Sequence, residues 1–294
     1  WGNLLNIKHC DIMLRHLPLR SFYCSRRSLS SLVSTEVTAD KIGIITLCDP
    51  ERLNALTEPM GLEFTAAVNH MNTLAAEQSI RSCIVTGSGH AFSAGGDLAW
   101  LRERHDSTPY QNRLTMLKFY NLFLHIRTLT VPTIAAINGH AIGAGMCMTL
   151  GCDFRIAANN ARLGFTFVKL GIHPGMGASL LLPRLISQQV AAEYLLTGKT
   201  VTGVAAAADG LVLEAVEKED VMERAIRLAR SINCNAPIAV QTGMQTLRSH
   251  KFAGLDDGLL KEADAQAEAY TSEDFLRGLE AVKSKEVADF RGWC

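Results

Sequence analysis

The chain has no net charge: 29 lysines and arginines balance 29 aspartates and glutamates. A polyanion meets no attractive field here, so nucleic acid is not expected as a partner. Long apolar runs are missing as well, none approaching the roughly 18 residues that cross a bilayer, so no membrane span is expected. The eight cysteines, at 10, 24, 48, 83, 147, 152, 234 and 294, form no Cys-x-x-Cys pair and lie mostly among apolar neighbours. That excludes a zinc site and a disulfide framework, leaving reduced thiols and no metal. Neither GxGxxG nor GxxxxGK(S/T) occurs, which removes support for dinucleotide and nucleotide-phosphate binding.

What is present is enough for one large core or two domains, with 294 residues and 48% hydrophobic content. The beginning differs in character from the rest. Met13 to Thr35 holds Arg15, Arg20, Arg26 and Arg27 among many serines and no acidic residue. This is the composition of a transit peptide, and it points to the mitochondrial matrix, with a plain disordered tail as the alternative. Met13 is a candidate start, with Trp1 to Ile12 contributed from upstream. We therefore read 1–36 as a leader.

After about Val37, short β-rich runs (Ile42 to Leu47, Cys83 to Thr86, Thr133 to Ile137, Phe154 to Ala157) alternate with helical periods such as Met60 to Ala76 and Leu114 to Arg127. Alternation of this kind predicts an α/β fold over 37–185. From Ser187 onward strand signals nearly vanish, and 186–294 reads as a helical region whose apolar faces are available to a neighbouring subunit.

Two clusters of small residues carry the chemistry: Gly95-Gly96, within His90 to Leu98, and Gly143-Ala144-Gly145, within Asn138 to Gly145. Each follows a β-like run and precedes a helical one. Such junctions aim backbone N–H groups into a cleft and let a substrate oxygen approach. Two donors on one carbonyl oxygen stabilise an enolate or a tetrahedral oxyanion, each worth about 3 kcal/mol. Tight turns or close helix packing would leave the same signature.

These clusters stand among other motifs: Pro50-Glu51-Arg52-Leu53-Asn54-Ala55-Leu56, Val131 to Gly145, Cys152-Asp153, Leu170 to Gly177, Leu196-Thr197-Gly198 and Ser272-Glu273-Asp274. Taken together, the chain resembles the enoyl-CoA hydratase/isomerase (crotonase) family from about Val37 to Trp293. The resemblance implies a spiral of ββα turns and a C-terminal helical region used to form a homotrimer, often a dimer of trimers. It implies an acyl-CoA thioester as substrate and no separate cofactor, coenzyme A entering as part of the substrate. By position, the oxyanion-hole N–H groups fall on Gly96 and Ala144. Coenzyme A contacts fall near Arg52, Leu53, Ala55, Ala94 and Gly95.

The glutamates that hydratases use fall on Cys147 and Phe167. Hydration needs carboxylates to deprotonate water and return a proton to the α-carbon, and phenylalanine does neither. Cys147 has two readings, a nucleophile or proton carrier at a helix start and a packed thiol between Met146 and Met148. His140 and His173 flank the expected cleft; His140 suits a structural hydrogen bond, whereas His173 divides between loop structure and acid–base work. Asp97 reads as a helix cap and Asp153 as structural, while Thr166 and Lys169 reach the pocket only if their strand faces it. In Trp100 to Tyr110, which in this family walls the acyl pocket, Arg102, Arg104, His105 and Tyr110 could greet an acyl carboxylate or form a solvated loop. Three functions follow: an atypical hydratase or isomerase, a decarboxylase-type lyase, and a non-catalytic acyl-CoA-binding subunit. One branch of the family binds RNA through a lysine-rich helix, but Gly61 to Ser79 has no lysine or arginine, so RNA is not expected.

Overall fold

The computed structural model describes residues 31–292. Most of the expected leader lies outside these residues, and its last four, from Val33, already belong to a strand. In chain order the elements begin with β1 (Val33–Val37), β2 (Ile42–Leu47), α1 (Glu58–Ala76), β3 (Ser82–Gly87), β4 (Ala91–Ser93), α2 (Leu98–Arg102) and α3 (Pro109–Leu124). Then come β5 (Thr133–Ile137), β6 (His140–Ile142), α4 (Ala144–Leu150), β7 (Phe154–Ala158), β8 (Arg162–Gly164) and a 3-10 turn (Thr166–Leu170). The remainder is α5 (Ala178–Leu185), α6 (Gln188–Thr197), β9 (Thr200–Thr202), α7 (Gly203–Ala208), β10 (Glu214–Val216), α8 (Val221–Asn233), α9 (Pro237–Lys251), α10 (Leu255–Ala269) and α11 (Glu273–Ser284).

The strands form two sheets. One has the order β1-β2-β3-β5-β7-β10 and the other β4-β6-β8-β9. Each of β3, β5 and β7 lies in the large sheet, and the strand that follows it, β4, β6 or β8, lies in the small one. A helix or helical turn then returns the chain, so the ββα turn repeats as a spiral. Apart from the antiparallel β1–β2 and β8–β9 pairs, neighbouring strands run parallel. Parallel strands covered on both faces read as unbroken apolar runs rather than alternation. Accordingly β3 and β5 are buried along their whole length.

Side-chain caps set several helix starts. Thr57 accepts the Met60 N–H, and Thr108 and Gln111 form a reciprocal capping box ahead of Pro109. The C-terminal region is nearly all helix, as expected, with two three-residue strands in it, β10 pairing with β7 and β9 with β8. Helix α8 packs across β3, β5 and β7. The core thus runs across the division at 185/186. Among the described residues no helix is long and apolar enough to cross a membrane.

Candidate active site

The site grows from a left-handed turn. Leu53 and Asn54 have φ of 51° and 52°, a conformation asparagine tolerates better than most residues. Asn54 is fully buried and its amide is completely used. Its Oδ1 accepts the Asp49 N–H at 2.8 Å, and its Nδ2 donates to the carbonyls of Ser88 and Ala91, each at 2.9 Å. Ser93 Oγ donates to the Asn54 carbonyl at 2.8 Å and accepts the Gly95 N–H at 3.1 Å. The turn is zipped along the segment after β4: Ala94 N–H donates to Leu53 O at 2.9 Å, and Leu56 N–H to Gly95 O at 2.7 Å. Arg52, Leu53 and Ala94 are exposed along this ribbon, while Ala55 and Gly95 are buried. The five residues expected to contact coenzyme A therefore form one continuous strip.

Leu56 and Gly96 form a parallel bridge. In such a bridge Leu56 bonds to the neighbours of Gly96, namely Gly95 O and Asp97 N, so the N–H of Gly96 itself turns to the opposite side. Gly95 has φ +93°, and a β-carbon there would lie 2.6 Å from Ile142 O and 3.5 Å from Ala144 N. Only glycine fits between the two turns. Ala144 opens α4 after Gly143, whose φ is 53°, and its N–H belongs to the first turn that a helix leaves unbonded. Gly145 is pressed against Ser93 in turn, a β-carbon there falling 2.6 Å from Ser93 O. Among the described residues no acceptor is bonded to the N–H of Gly96 or of Ala144.

This chain matches the enoyl-CoA hydratase/isomerase family over residues 38–292. It belongs to that family. It is 31% identical over 252 residues to the 2,3-dehydroadipyl-CoA hydratase of Escherichia coli, covering 86% of this chain and 96% of that protein. It is 30% identical over 253 residues to the short-chain-enoyl-CoA hydratase of Clostridium acetobutylicum, covering 85% and 95%. The crystal structure of an enoyl-CoA hydratase from Bacillus halodurans superposes with a TM-score of 0.77 at 31% identity, over 85% of this chain and all of that one (100%).

Within this hydratase/isomerase fold, Cys147 is fully buried and its Sγ–H donates to Gly175 O at 3.4 Å. Burial, and then the nearby Glu262, hold its thiol well above the ordinary range. A neutral, enclosed thiol is a poor nucleophile, and this burial favours the packed reading over the nucleophilic one. Phe167 is 7% exposed, on the 3-10 turn.

Polar groups from α3 and α10 close around loop 173–177. Tyr120 Oη donates to Gln266 Oε1 at 2.7 Å, and Tyr270 Oη reaches the same oxygen at 3.2 Å. Gln266 Nε2 donates to His173 O at 2.7 Å. The Glu262 carboxylate accepts the N–H groups of Gly177 and Ser179 and the Ser179 hydroxyl at 2.6 to 2.8 Å. Sequence reasoning missed this cluster, since Tyr120 and Gln266 stand 146 positions apart and belong to no common motif.

The remaining candidates separate cleanly. His173 Nδ1–H donates to Pro174 O at 2.6 Å, which leaves Nε2 as the ring nitrogen that faces another partner. Thr166 Oγ1 lies 3.9 Å from the place of a β-carbon on Gly143, beside the second turn, whereas Lys169 is exposed. His140 Nδ1 accepts the Arg162 N–H at 3.0 Å. Asp97 caps α2 through the Trp100 N–H at 2.9 Å, as expected. Asp153 is structural: it accepts from Thr133 and forms a two-pronged pair with Arg248 at 2.8 and 2.5 Å. Arg102 bonds to Asp106; Arg104 lies 5.1 Å from the Trp100 ring centroid and pairs with Glu103. Tyr110 points to solvent, and His105 Nδ1–H donates to Tyr270 O at 2.9 Å. Among the described residues no cluster of His, Cys, Asp or Glu could hold a metal ion.

Proposed function

We propose that this chain binds an acyl-CoA thioester along the Arg52–Ala55 and Ala94–Gly95 strip. The thioester carbonyl sits between the N–H groups of Gly96 and Ala144, which stabilise the enolate. The observation that carries the reading is the contact between the two turns: Gly95 seats against Ala144 N, and both neighbouring donors are unbonded. Donors fixed before the reaction cost no reorganisation when charge develops, which is why such sites accelerate enolate formation.

The two positions at which hydratases carry glutamate hold a neutral buried thiol and a phenyl ring. Neither moves a proton, so ordinary hydration lacks its usual acid and base. We assign the proton transfer to His173 through Nε2, giving an atypical hydratase or isomerase. A decarboxylase-type lyase gains nothing from Arg102 and Arg104, whose guanidinium groups already serve Asp106, Trp100 and Glu103. A second reading, a non-catalytic acyl-CoA-binding subunit, is favoured by Cys147 and Phe167 themselves. Assembly as a homotrimer or dimer of trimers is supported by the exposed apolar side chains of Ile238 and Leu247 on α9. A mitochondrial matrix location is supported by the basic, serine-rich composition of Met13 to Thr35.

The test is to incubate the purified chain in D2O with 2-enoyl-, 3-enoyl-, saturated and malonyl-type acyl-CoAs and follow each by mass spectrometry. The enzyme reading expects deuterium at the α-carbon, with a water adduct or a shifted double bond. Binding of every thioester without exchange selects the silent subunit; loss of CO2 selects the lyase.

A further inference from the structure

We propose that Gln266 is a positioning residue for the proton transfer: oriented by the hydroxyls of Tyr120 and Tyr270, it fixes the loop that carries His173. The proposal rests on the assignment of that transfer to His173 above and names the group that aims it.

Two helices bring the parts together. Glu262, Gln266 and Tyr270 follow one another at intervals of four on α10 and at its end, so they share one face. That helix packs along α3, which carries Tyr120. All four side chains are buried, none more than 1% exposed. The amide of Gln266 sits only one way. The His173 carbonyl accepts and cannot donate, so Nε2 faces it at 2.7 Å, and Oε1 is left to the two phenols at 2.7 and 3.2 Å. A buried network satisfied in this manner is rigid, because no member turns without stranding a partner.

The loop it grips is held against its own preference. Met176 has φ of 58° and Gly177 of 81°, and a methionine enters the left-handed region only when its surroundings impose it. Three bonds pin the loop: Gln266 to His173 O, Cys147 to Gly175 O, and the Gly177 N–H to Glu262. Gly175 also presses on the network itself, since a β-carbon there would lie 2.5 Å from both Gln266 Nε2 and Tyr120 Oη.

Placement passes from the loop to the ring. His173 Nδ1 is bonded to Pro174 O at 2.6 Å, so the imidazole is fixed to the backbone of its own loop and Nε2 goes where the loop goes. Within 172–178 only His173 is half-buried and the rest are buried; it is the side chain this stretch offers to a ligand. Cys147, which anchors Gly175, stands about one turn along α4 from Ala144. The loop is thereby tied to the helix that carries the second oxyanion donor. Misplacing a reacting group by about 1 Å costs about 100-fold in rate, so a residue that fixes the loop acts on the chemistry without touching substrate.

The experiment follows α-carbon deuterium exchange in D2O on saturated acyl-CoAs from acetyl to decanoyl, with the fastest exchanged used for the variants. It measures kcat and KM for the full native chain, Gln266→Met, Tyr120→Phe, His173→Gln and each of the first two combined with His173→Gln, with CoA affinity, circular dichroism and urea midpoints alongside. Gln266→Met, which roughly conserves volume, is expected to lower kcat about tenfold or more while KM and CoA affinity stay the same. Tyr120→Phe, which removes one of the two donors to the amide, is expected to lower it about threefold. In the His173→Gln background neither substitution should lower it further, because a residue that acts through another adds nothing once the other is gone. A residue that only supports the fold moves the urea midpoint and leaves kcat of the folded chain alone. Unchanged kcat in folded Gln266→Met, or a loss that adds to that of His173→Gln, therefore overturns the proposal while leaving the role of His173 intact. Should Gln266→Met fail to fold, Tyr120→Phe decides by the same two criteria. If His173→Gln does not slow exchange, or the native chain exchanges none of the thioesters, the proton-transfer reading falls and this proposal falls with it.

Discussion

Cys147 Sγ–H donates to the carbonyl of Gly175 at 3.4 Å, and this bond ties the first turns of α4 to loop 173–177. The thiol is spent on architecture. Cys147→Ser keeps a donor at this point, so turnover should stay within about threefold of the native chain, the cost of one altered hydrogen bond. Thiol-specific alkylation followed by peptide mass spectrometry should find Cys147 unmodified until the chain is unfolded. Rapid labelling in the native state would show an exposed nucleophile instead.

Ala144 is the first helical residue of α4, the position where proline costs least because its missing N–H has no helical partner. Ala144→Pro therefore removes one oxyanion donor and leaves α4 in place. Turnover should fall by about 100- to 1,000-fold, with an unchanged circular dichroism spectrum. Gly96→Pro is the matching test of the first donor, since the bridge to Leu56 does not use the Gly96 N–H. Undiminished activity in either variant would reject that site.

His173→Gln keeps a polar side chain on the loop but cannot carry a proton. Deuterium exchange at the α-carbon should slow by about 100-fold or more, while CoA affinity measured by titration stays the same. An unaltered exchange rate would return the proton-transfer role to another group.

Arg248 and Asp153 form a buried pair, and Arg248 also donates to the carbonyls of Leu129 and Val131. Burial pushes the Asp153 carboxyl up, but Arg248 and Thr133 more than reverse this and hold it below the usual carboxylate value. Its contribution to stability is present above that usual value and is lost as pH falls through the lowered one. Arg248→Ala strands the carboxylate and should cost about 3 to 5 kcal/mol, read from the urea midpoint at neutral pH.

Lys251 is driven down from 10.5 to about 8 by burial and then by Arg155. Between these values the unfolded chain binds the extra proton, so stability rises with pH from about 8. The buried thiol of Cys152 works in the opposite sense, raised from 9.0 to about 11. Above 9 the unfolded chain loses that proton first; this alone only cancels the Lys251 rise, but the buried thiols of Cys83 and Cys147 are held up in the same way, and together the three make stability fall. The urea midpoint should therefore peak near pH 9, and Lys251→Met should abolish the rise on the neutral side.

The large sheet was legible because its parallel strands bury both faces: Ile42 to Leu47 and Thr133 to Ile137 are unbroken β-prone runs, and both are strands over those limits. The small sheet was not, since β4, β6, β8 and β9 have three residues each, too few for any period to register. Glu214–Val216 is a strand through its pairing with β7; nothing in Glu-Ala-Val asks for one. At the site, glycine clusters announced the two turns, because only glycine passes where a β-carbon meets Ile142 O or Ser93 O. Asn54 was read only as part of a motif, although a buried asparagine with φ above zero organises the whole strip. The ring of Tyr120, Gln266, Tyr270 and Glu262 exists only once α10 lies beside α3, and residues brought together by folding alone leave no local mark.

The tail of the chain and the 3-10 turn meet at a seam with no spare volume. A β-carbon on Gly278 would fall 2.5 Å from the Leu170 carbonyl carbon, and one on Gly171 would fall 2.7 Å from Asp274 O. Helix α11 is thus keyed to the turn that carries Thr166 and Phe167, like a lid cut to one hinge position. For anyone handling this protein, α11 is part of the half that carries the candidate site. A fusion joined beyond Gly292 keeps the Arg291 and Gly292 N–H bonds to Asp274, whereas trimming back to Ser272 takes away the roof over the turn.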